Sequence, residues 1–223
     1  ETAADPQRPF VRLVLAISLD GRLVPPEGGP TQLGGAGDRI ELERALVWAD
    51  ACLLGAGTLR AHQCTCLIRD PALVQQRLDD GRPAQPPAVV VSHRSAFPVH
   101  WRFFEQPLER WLLAPAPAID GFHRWFPLQT SWTDRLGLLA SAGVQNLVLL
   151  GGAQLAAALL QVDCVDELQL TLVPTLLGGG HSWFPVGMGP LPNGLAVPGA
   201  WRQQEARSLG EGELLLRYRR WRG

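Results

Sequence analysis

The chain has 223 residues, of which 46% are hydrophobic and 18% charged, and its formal net charge at pH 7 is −1. This composition is typical of a globular domain, and the near-neutral charge excludes a general electrostatic attraction to nucleic acid or to an anionic membrane. Every basic side chain other than histidine is an arginine, which excludes chemistry that needs a lysine, such as a Schiff base. No apolar run reaches the roughly 18 residues of a membrane-spanning helix, so we expect no membrane association.

The N-terminal part of the chain predicts one strand, one long loop and one helix. Residues 1–9 form a predicted disordered tail, and the apolar residues 11–17 predict a buried strand. Residues 25–37 are rich in glycine and proline, which predicts a long loop of the kind that often carries function. Asp38, with Glu41 three residues later, predicts a helix that begins with a capping box.

Short apolar runs in the middle of the chain predict further buried strands. The run at 51–54 ends at Gly55-Ala56-Gly57-Thr58, the run at 88–91 ends at Ser92-His93-Arg94, and another covers 111–114. The pattern of residues 115–131 predicts no particular element. Because ligands of open α/β sheets bind beyond the carboxyl ends of the strands, the first two strand ends are candidate binding positions.

Residues 147–160 form the most informative segment. An apolar strand at 147–150 stops at Gly151-Gly152, and apolar residues at helical spacing follow at once. Two glycines let another group approach the backbone closely, and the free N–H groups of a helix's first turn suit a phosphate or pyrophosphate. The alternative interpretation is an ordinary tight turn. A preceding helix is predicted at about 134–142, ended by Gly143.

The C-terminal part predicts antiparallel strands. In residues 165–173, three leucines alternate with Gln169 and Thr171, which predicts a half-buried strand with its polar residues on the opposite face. Two further strands, near 201–208 and 213–221, predict a hairpin, and the four arginines of the last strand predict a solvated edge (Arg217, Arg219, Arg220 and Arg222). With the strand–helix alternation over residues 10–160, the pattern predicts a mainly parallel sheet with an antiparallel edge.

The four cysteines do not predict a metal site. Cys52 and Cys164 lie in apolar contexts typical of core residues, and Cys64-Thr65-Cys66 has no second Cys/His pair at zinc spacing. We therefore expect no metal and a reduced, cytoplasmic protein.

The chain resembles the dihydrofolate-reductase-like superfamily, and within it the C-terminal reductase domain of the bifunctional riboflavin-biosynthesis deaminase/reductase. The matching segments follow the family's order: ISLDGRL at 17–23, ADACLLGAGTLRAH at 49–62, LVLLGGAQL at 147–155 and VDELQLTLVPTLLGGG at 165–180. The family's zinc-binding deaminase signature is not found in these residues. The resemblance implies a single reductase domain over 10–223 with a three-layer αβα fold.

The resemblance implies a cytoplasmic, homodimeric oxidoreductase of riboflavin biosynthesis. It would use NADPH to reduce a small molecule, the ribosylamino group of 5-amino-6-(5-phosphoribosylamino)uracil. The implied cofactor-binding residues include Ala16, at the nicotinamide carboxamide, and Thr58, which contacts the cofactor. Ser92 and Arg94 would lie at the adenosine 2′-phosphate. The pyrophosphate would be bound by Gly151, Gly152, Ala153, Gln154 and Leu155. An arginine suits the 2′-phosphate because it forms bidentate charged hydrogen bonds.

The substrate residues follow the family only in part. The resemblance implies that Arg69, Cys66, Gln63 and Leu150 bind substrate, with Arg69 in the position of a substrate-phosphate arginine. His62 takes the place of an acidic residue as the candidate proton donor, since an imidazole titrates near neutral pH. Asp20 is a second catalytic candidate, whose alternative role is to close the Ser-Leu-Asp-Gly turn.

Three positions that are charged in the family are apolar here, namely Val14, Leu46 and Leu150. Replacing charged groups by leucine and valine weakens a grip on a ribose phosphate. Two alternatives therefore stay open: a reductase of another small heterocycle, imine or carbonyl compound, and a non-catalytic nucleotide-binding relative.

Overall fold

The computed structural model describes residues 8–29, 32–117, 120–129 and 131–223. Most of the predicted tail at 1–9 therefore lies outside the described residues. The strands are β1 (Phe10–Ser18), β2 (Ala51–Gly55), β3 (Ala88–Val91), β4 (Arg110–Ala114), β5 (Arg124–Pro127), β6 (Asn146–Leu149), β7 (Glu167–Val173), β8 (Trp201–Gly210) and β9 (Glu213–Arg220). The α-helices are α1 (Ala36–Trp48), α2 (Ala56–His62), α3 (Pro71–Asp79), α4 (Trp132–Ser141) and α5 (Ala153–Gln161).

The chain divides into two compact units. Unit 1 comprises the residues up to Phe10 and Glu43–Val148, and unit 2 comprises Val11–Leu42 and Leu149–Gly223. In unit 1 the strands are ordered β5-β4-β3-β2-β6, and in unit 2 they are ordered β1-β7-β9-β8. The pairs β2–β3, β3–β4, β4–β5 and β1–β7 are parallel, whereas β7–β9 and β8–β9 are antiparallel. The predicted mixed α/β fold, mainly parallel with an antiparallel C-terminal edge, is confirmed.

The strand predictions from apolar runs hold because these strands are buried. Every residue of β4 except its first is buried, and so are residues 51–54 of β2 and 88–90 of β3. Sequence analysis did not predict the helices α2 and α3, or the strand β5, which lies in the unassigned stretch. The helix α3 begins with Pro71, and the side chain of Asp70 accepts a hydrogen bond from the Ala72 N–H at 2.8 Å as its N-cap.

The predicted capping box at Asp38 is wrong. The helix α1 begins at Ala36, so Asp38 lies within its first turn. The N-terminal amides are bound instead by Glu213 of β9, whose carboxylate accepts from the Gly35 N–H at 2.6 Å and the Asp38 N–H at 3.3 Å. A carboxylate at this end also faces the positive end of the helix dipole.

Two buried or half-buried arginines satisfy the carbonyl groups at the C-terminus of α1. Arg77 of α3 is 1% exposed and donates to the carbonyl oxygens of Leu46, Val47 and Ala49 at 2.8–3.0 Å. Arg82 donates to the Val47 carbonyl and pairs with Asp50 at 2.9 Å. Burial lowers the pKa of Arg77 to about 10, so it remains charged at neutral pH.

The two faces of β7 are buried in the opposite sense to the usual one. Gln169 and Thr171 are 4% and 2% exposed, whereas the leucines that alternate with them, Leu168, Leu170 and Leu172, are only half-buried. The polar face is buried because it has polar partners, among them the Glu41 carbonyl oxygen, which accepts from the Gln169 amide at 3.3 Å. Alternation identified the two faces correctly, but the polar face is not the solvated one.

The prediction that the last strand's arginines form a solvated edge is also wrong. The edge strand of unit 2 is β8, and β9 lies between β7 and β8. Arg220 is 7% exposed and forms two hydrogen bonds to Asp163, at 2.9 and 3.0 Å, while Arg222 pairs with Asp166 at 2.7 Å. These side chains hold the C-terminal strand against the turn that precedes β7.

Candidate active site

In unit 2, the turn after β1 is tied to the loop that follows β7. The buried Ser18 hydroxyl donates to the Asp20 carboxylate and accepts from the Arg22 N–H at 2.8 Å. The carboxylate also accepts from the Leu177 and Gly178 N–H groups, at 3.1 and 2.7 Å. Hydrogen bonds, led by the one from Ser18, lower the pKa of Asp20 to about 2. This geometry favours a role in closing the turn, because a carboxylate that stays ionised at neutral pH is a poor proton donor.

The Gly151-Gly152 turn also lies in unit 2, and its backbone requires glycine. The two residues have φ values of 94° and 91°, a region that L-residues with a side chain seldom adopt. A Cβ on Gly151 would lie 3.1 Å from the Leu15 side chain, next to Ala16 of β1. Gly152 is the N-cap of α5, and no side chain among the described residues caps this helix. The backbone N–H groups of its first turn, at Ala153, Gln154 and Leu155, therefore lack a side-chain cap.

In unit 1, the predicted cofactor residues gather at one end of two paired strands. The helix α2 follows β2 directly and carries Thr58, which is half-buried. Gly55, the last residue of β2, is paired with Val91, the last residue of β3. Thr58 and Ser92 therefore follow the carboxyl ends of neighbouring parallel strands, as the sequence predicts.

Ser92 shapes the turn that carries Arg94. The serine is 3% exposed, its N–H donates to the Leu113 carbonyl, and its hydroxyl accepts from the Arg94 N–H at 3.0 Å. The guanidinium-bearing side chain of Arg94 is exposed. A buried hydroxyl that fixes the backbone of an exposed arginine suits the recognition of an anionic group by that arginine.

The candidate proton donor and the predicted substrate residues of unit 1 follow α2. His62 is the last residue of α2 and is exposed, and Gln63 is its C-cap with a φ of 53°. Cys66 is half-buried, and Arg69 is exposed just before α3. The exposure of His62 and Arg69 leaves both able to meet a ligand.

The apolar replacements differ in their burial. Leu46 is 0% exposed and Val14 is 8% exposed, so both serve as core residues. Leu150, just before the paired glycines, is half-buried. Leu46 and Val14, at positions where the resemblance implies charged groups, are thus packed hydrocarbon in this chain.

Several polar residues that support these positions were missed by sequence analysis. Ser18 is the first residue of the predicted Ser-Leu-Asp-Gly turn, but its hydrogen bond to Asp20 was not predicted. Glu43, Gln85 and Gln106 support the segment that contains Cys66 and Arg69, but they lie 17 to 41 residues from their partners in the sequence, so no local pattern marks them.

Among the described residues, no group of three or more histidine, cysteine, aspartate or glutamate side chains is arranged to hold a metal ion. A search of the same described residues finds no helix with the length and apolar character needed to cross a membrane.

Comparison with solved structures defines the class of fold. The chain is similar to a pyrimidine reductase-like protein from Corynebacterium diphtheriae, with a TM-score of 0.81, 20% identity and coverage of 96% of this chain and 93% of that one. It is also similar to dihydrofolate reductase from Enterococcus faecalis complexed with NADP(H), with a TM-score of 0.57, 13% identity and coverage of 95% and 96%. The chain therefore has a dihydrofolate-reductase-like fold.

Within that class, the chain belongs to the RibD C-terminal domain family, whose model matches residues 9–215. A relative from Archaeoglobus fulgidus, named 2,5-diamino-6-ribosylamino-4(3H)-pyrimidinone 5′-phosphate reductase, is 25% identical over 78% of this chain and 84% of its own length. The riboflavin biosynthesis protein RibD of Mycobacterium tuberculosis is 29% identical over 93% of this chain but only 53% of its own length. The chain thus spans about half the length of that RibD protein, and its family is one of oxidoreductases.

Proposed function

We propose that this chain is an NADPH-dependent reductase of the riboflavin-biosynthesis type, acting on a ribosylamino-pyrimidine 5′-phosphate. The observation that carries the proposal is the match over most of the chain to proteins named pyrimidine 5′-phosphate reductases, together with the backbone geometry at Gly151-Gly152. The proposed cofactor is a nicotinamide dinucleotide, with NADPH preferred over NADH.

The residues present fit a nicotinamide dinucleotide. In unit 2, the two glycines at positive φ and the first turn of α5, which lacks a side-chain cap, suit a pyrophosphate. In unit 1, the exposed Arg94, whose N–H is held by Ser92, suits the 2′-phosphate that distinguishes NADPH from NADH. Thr58, at the carboxyl end of β2, adds a hydroxyl group for a further hydrogen bond.

A bound nicotinamide supplies a hydride for the carbon atom of a C=N or C=O bond. The chain's own residues would bind and orient the reactants: the backbone of Ala16 the carboxamide, and Arg69, Cys66, Gln63 and Leu150 the substrate. For the proton, we propose His62, since its side chain is exposed and an imidazole can donate near neutral pH. Asp20 we assign to positioning, because it stays ionised and is bound by backbone amides.

A second candidate is a reductase of a less polar heterocycle, imine or carbonyl compound. It is favoured by the packed side chains of Leu46 and Val14, which replace charged residues of the family. A nucleotide-binding relative without catalysis would share the same cofactor residues, and only turnover separates it from the two enzymes.

The first experiment titrates the chain with NADPH and then with NADH, following the fluorescence of its eight tryptophans. We expect saturable quenching by NADPH and binding of NADH that is weaker by about tenfold or more, since a charged bidentate contact contributes about 1.5–3 kcal/mol. Arg94→Ala should remove this preference, whereas Arg124→Ala, at an exposed residue of β5, should keep it. Equal affinities for the two cofactors in the wild type would contradict the assignment of Arg94.

The second experiment follows NADPH oxidation at 340 nm, at about 0.1 mM cofactor, with 2,5-diamino-6-ribosylamino-4(3H)-pyrimidinone 5′-phosphate and with 5-amino-6-(5-phosphoribosylamino)uracil. Turnover of either supports the pyrimidine reductase. Cofactor binding without turnover of either would contradict it and leave the second candidate and the non-catalytic relative.

We also propose that the chain forms a homodimer through an apolar sheet face of unit 2. Six half-buried side chains form this face, and they are paired across β7 and β9: Leu168 with Tyr218, Leu170 with Leu216, and Leu172 with Leu214. A contiguous apolar surface on a twisted sheet suits a second copy, because a two-fold axis places the same patch on both partners. The four free cysteines are in keeping with a reducing compartment, and we propose a cytoplasmic location.

A further inference from the structure

The segment 65–70, which connects α2 to α3, has no regular secondary structure, yet its backbone is bound by buried side chains. Three residues from distant parts of unit 1 do this: Glu43, Gln85 and Gln106. They are 5%, 8% and 8% exposed, respectively. Burying a carboxylate and two amides is unfavourable unless each is hydrogen-bonded, so the bonds from these three side chains to the segment offset the cost of their burial.

The two glutamines act on the backbone as a neighbouring strand would. Gln106 accepts from the Thr65 N–H and donates to the Thr65 carbonyl oxygen, both at 2.8 Å. Gln85 accepts from the Ile68 N–H at 2.9 Å and donates to the Ile68 carbonyl oxygen at 2.8 Å. Each amide thus replaces both hydrogen bonds that one residue exchanges with its partner in an antiparallel pair.

Glu43 binds the next two residues. One oxygen of its carboxylate accepts from the Arg69 N–H at 2.8 Å and from the Asp70 N–H at 3.0 Å. Hydrogen bonds to an ionised acceptor are stronger than neutral ones, so this contact fixes the backbone of Arg69 more firmly than an amide would.

The flanking helices do not need these contacts. The helix α2 ends with Gln63 in a left-handed conformation, whose N–H donates to the Leu59 carbonyl, and α3 has its own N-cap in Asp70. What the three side chains hold is the backbone between the two helices. This backbone carries Cys66 and Arg69.

We propose that Glu43, Gln85 and Gln106 are positioning residues that preorganise segment 65–70 for a phosphorylated substrate. The proposal rests on the proposed function, in which Arg69 binds the substrate phosphate. An arginine whose own backbone is fixed loses less conformational freedom when it binds an anion, so the gain appears in substrate affinity. Loosening the segment should weaken substrate binding and leave cofactor binding unchanged.

The test replaces Gln85 by glutamate, because the protonation state of the new carboxyl group then decides whether the hydrogen bond to the Ile68 carbonyl oxygen can form. An ionised carboxylate at this position accepts from the Ile68 N–H but cannot donate to the Ile68 carbonyl oxygen. A protonated carboxyl can do both, as the native amide does. Burial raises the pKa of a carboxyl group, which brings this change into a pH range where the enzyme can be assayed.

We expect the KM of Gln85→Glu for the pyrimidine 5′-phosphate to exceed the wild-type value by about tenfold at about pH 8, as for the loss of one buried hydrogen bond. The ratio should fall toward one at about pH 6, since a raised carboxyl pKa lies in this range. Comparing variant and wild type at each pH cancels the titration of the substrate phosphate. The kcat and the KM for NADPH should stay within about twofold, less than one lost hydrogen bond would produce.

Two variants separate this mechanism from general destabilisation. Gln85→Leu, which can form neither hydrogen bond, should raise the substrate KM at every pH. Gln76→Glu makes the same exchange at an exposed position of α3 and should behave as wild type. An unchanged substrate KM in Gln85→Glu, a rise that does not depend on pH, or an equal rise in the KM for NADPH would each overturn the proposal.

A failure of the proposed function can be recognised separately. If the wild type turns over neither pyrimidine, the same variants are titrated with ribose 5-phosphate by calorimetry. The proposal then predicts the same pH-dependent loss of affinity in Gln85→Glu. Equal ribose 5-phosphate affinity in wild type and variant at every pH tested would overturn it.

Discussion

Two aspartates of unit 2 show how burial and hydrogen bonding act on one type of side chain in opposite directions. Four hydrogen bonds, the first from the Ser18 hydroxyl, lower the pKa of Asp20 from 3.8 to about 2. Burial raises the pKa of Asp38, against a hydrogen bond from Thr171 that lowers it. The carboxylates of Glu213 and Glu41 raise it further, and Arg39 lowers it. Ionisation therefore favours the folded state at Asp20 and opposes it at Asp38.

We predict that the two asparagine variants shift stability in opposite directions at neutral pH. Asp38→Asn should raise the urea midpoint, because it removes a half-buried charge and keeps an acceptor for the Thr171 hydroxyl. Asp20→Asn should lower the midpoint, because it weakens the hydrogen bonds from Ser18, Leu177 and Gly178. The measurement is urea unfolding followed by tryptophan fluorescence.

The stability difference between each variant and the wild type should depend on pH. The folded pKa of Asp38 is raised, so the wild type loses stability as pH rises from the usual 3.8 through the folded value. The folded pKa of Asp20 is lowered, so its stabilisation is lost as pH falls from 3.8 toward 2. Both differences from the wild type should therefore shrink in acid. A destabilised Asp38→Asn at neutral pH would show that the carboxylate is needed there.

At the scale of the element, the junction of β6 and α5 combines backbone conformation with a binding role. Gly152 has a φ of 91° and caps α5, while Gly143 has a φ of 94° just after α4. A Cβ on Gly143 would meet no atom within 4 Å. The two glycines therefore share the same conformational requirement, but only Gly152 lies at a proposed phosphate site.

We predict that Gly152→Ala and Gly143→Ala each lower the free energy of unfolding by at least about 1 kcal/mol, because each places an L-residue at a positive φ. Only Gly152→Ala should also weaken NADPH binding, by about tenfold or more, as expected for the loss of more than 1.4 kcal/mol of binding free energy. Calorimetric titration of the folded variants with NADPH is the measurement. Retained affinity in Gly152→Ala would remove the pyrophosphate from this turn, and lost affinity in both variants would point to a general effect of strain.

The strands that could be predicted are those made of a continuous run of buried apolar residues. The strands β2, β3 and β6 consist almost entirely of buried apolar residues, and the sequence shows them directly. The strand β5 was not visible, because two of its four residues are exposed and it contains Arg124 and Pro127. Its register is set by pairing with β4, where Arg124 also lies 4.6 Å above the Trp111 ring.

At the scale of the whole molecule, the half-buried apolar face of β7 and β9 predicts self-association. We expect the wild type to be a dimer at micromolar concentration by light scattering. Leu170→Glu should shift it to a monomer, because a dimer would bury the introduced charge without a partner. Val186→Glu, at a loop residue that is 91% exposed, places the same charge elsewhere in unit 2 and should leave the dimer intact.

A wild type that is monomeric at these concentrations would contradict the proposed homodimer. A dimer that persists in Leu170→Glu would leave the homodimer standing and exclude this face as its interface.

The sequence by itself determined the class of fold, the order of the buried strands along the chain and the turn at Gly151-Gly152. These features depend on local patterns: apolar runs, alternation and paired glycines. Only the tertiary structure decided that Glu213 caps α1, that the polar face of β7 is buried, and that Glu43, Gln85 and Gln106 hold segment 65–70. Each of these is a polar side chain whose partner lies 17 or more residues away, and folding alone brings such partners within hydrogen-bonding distance.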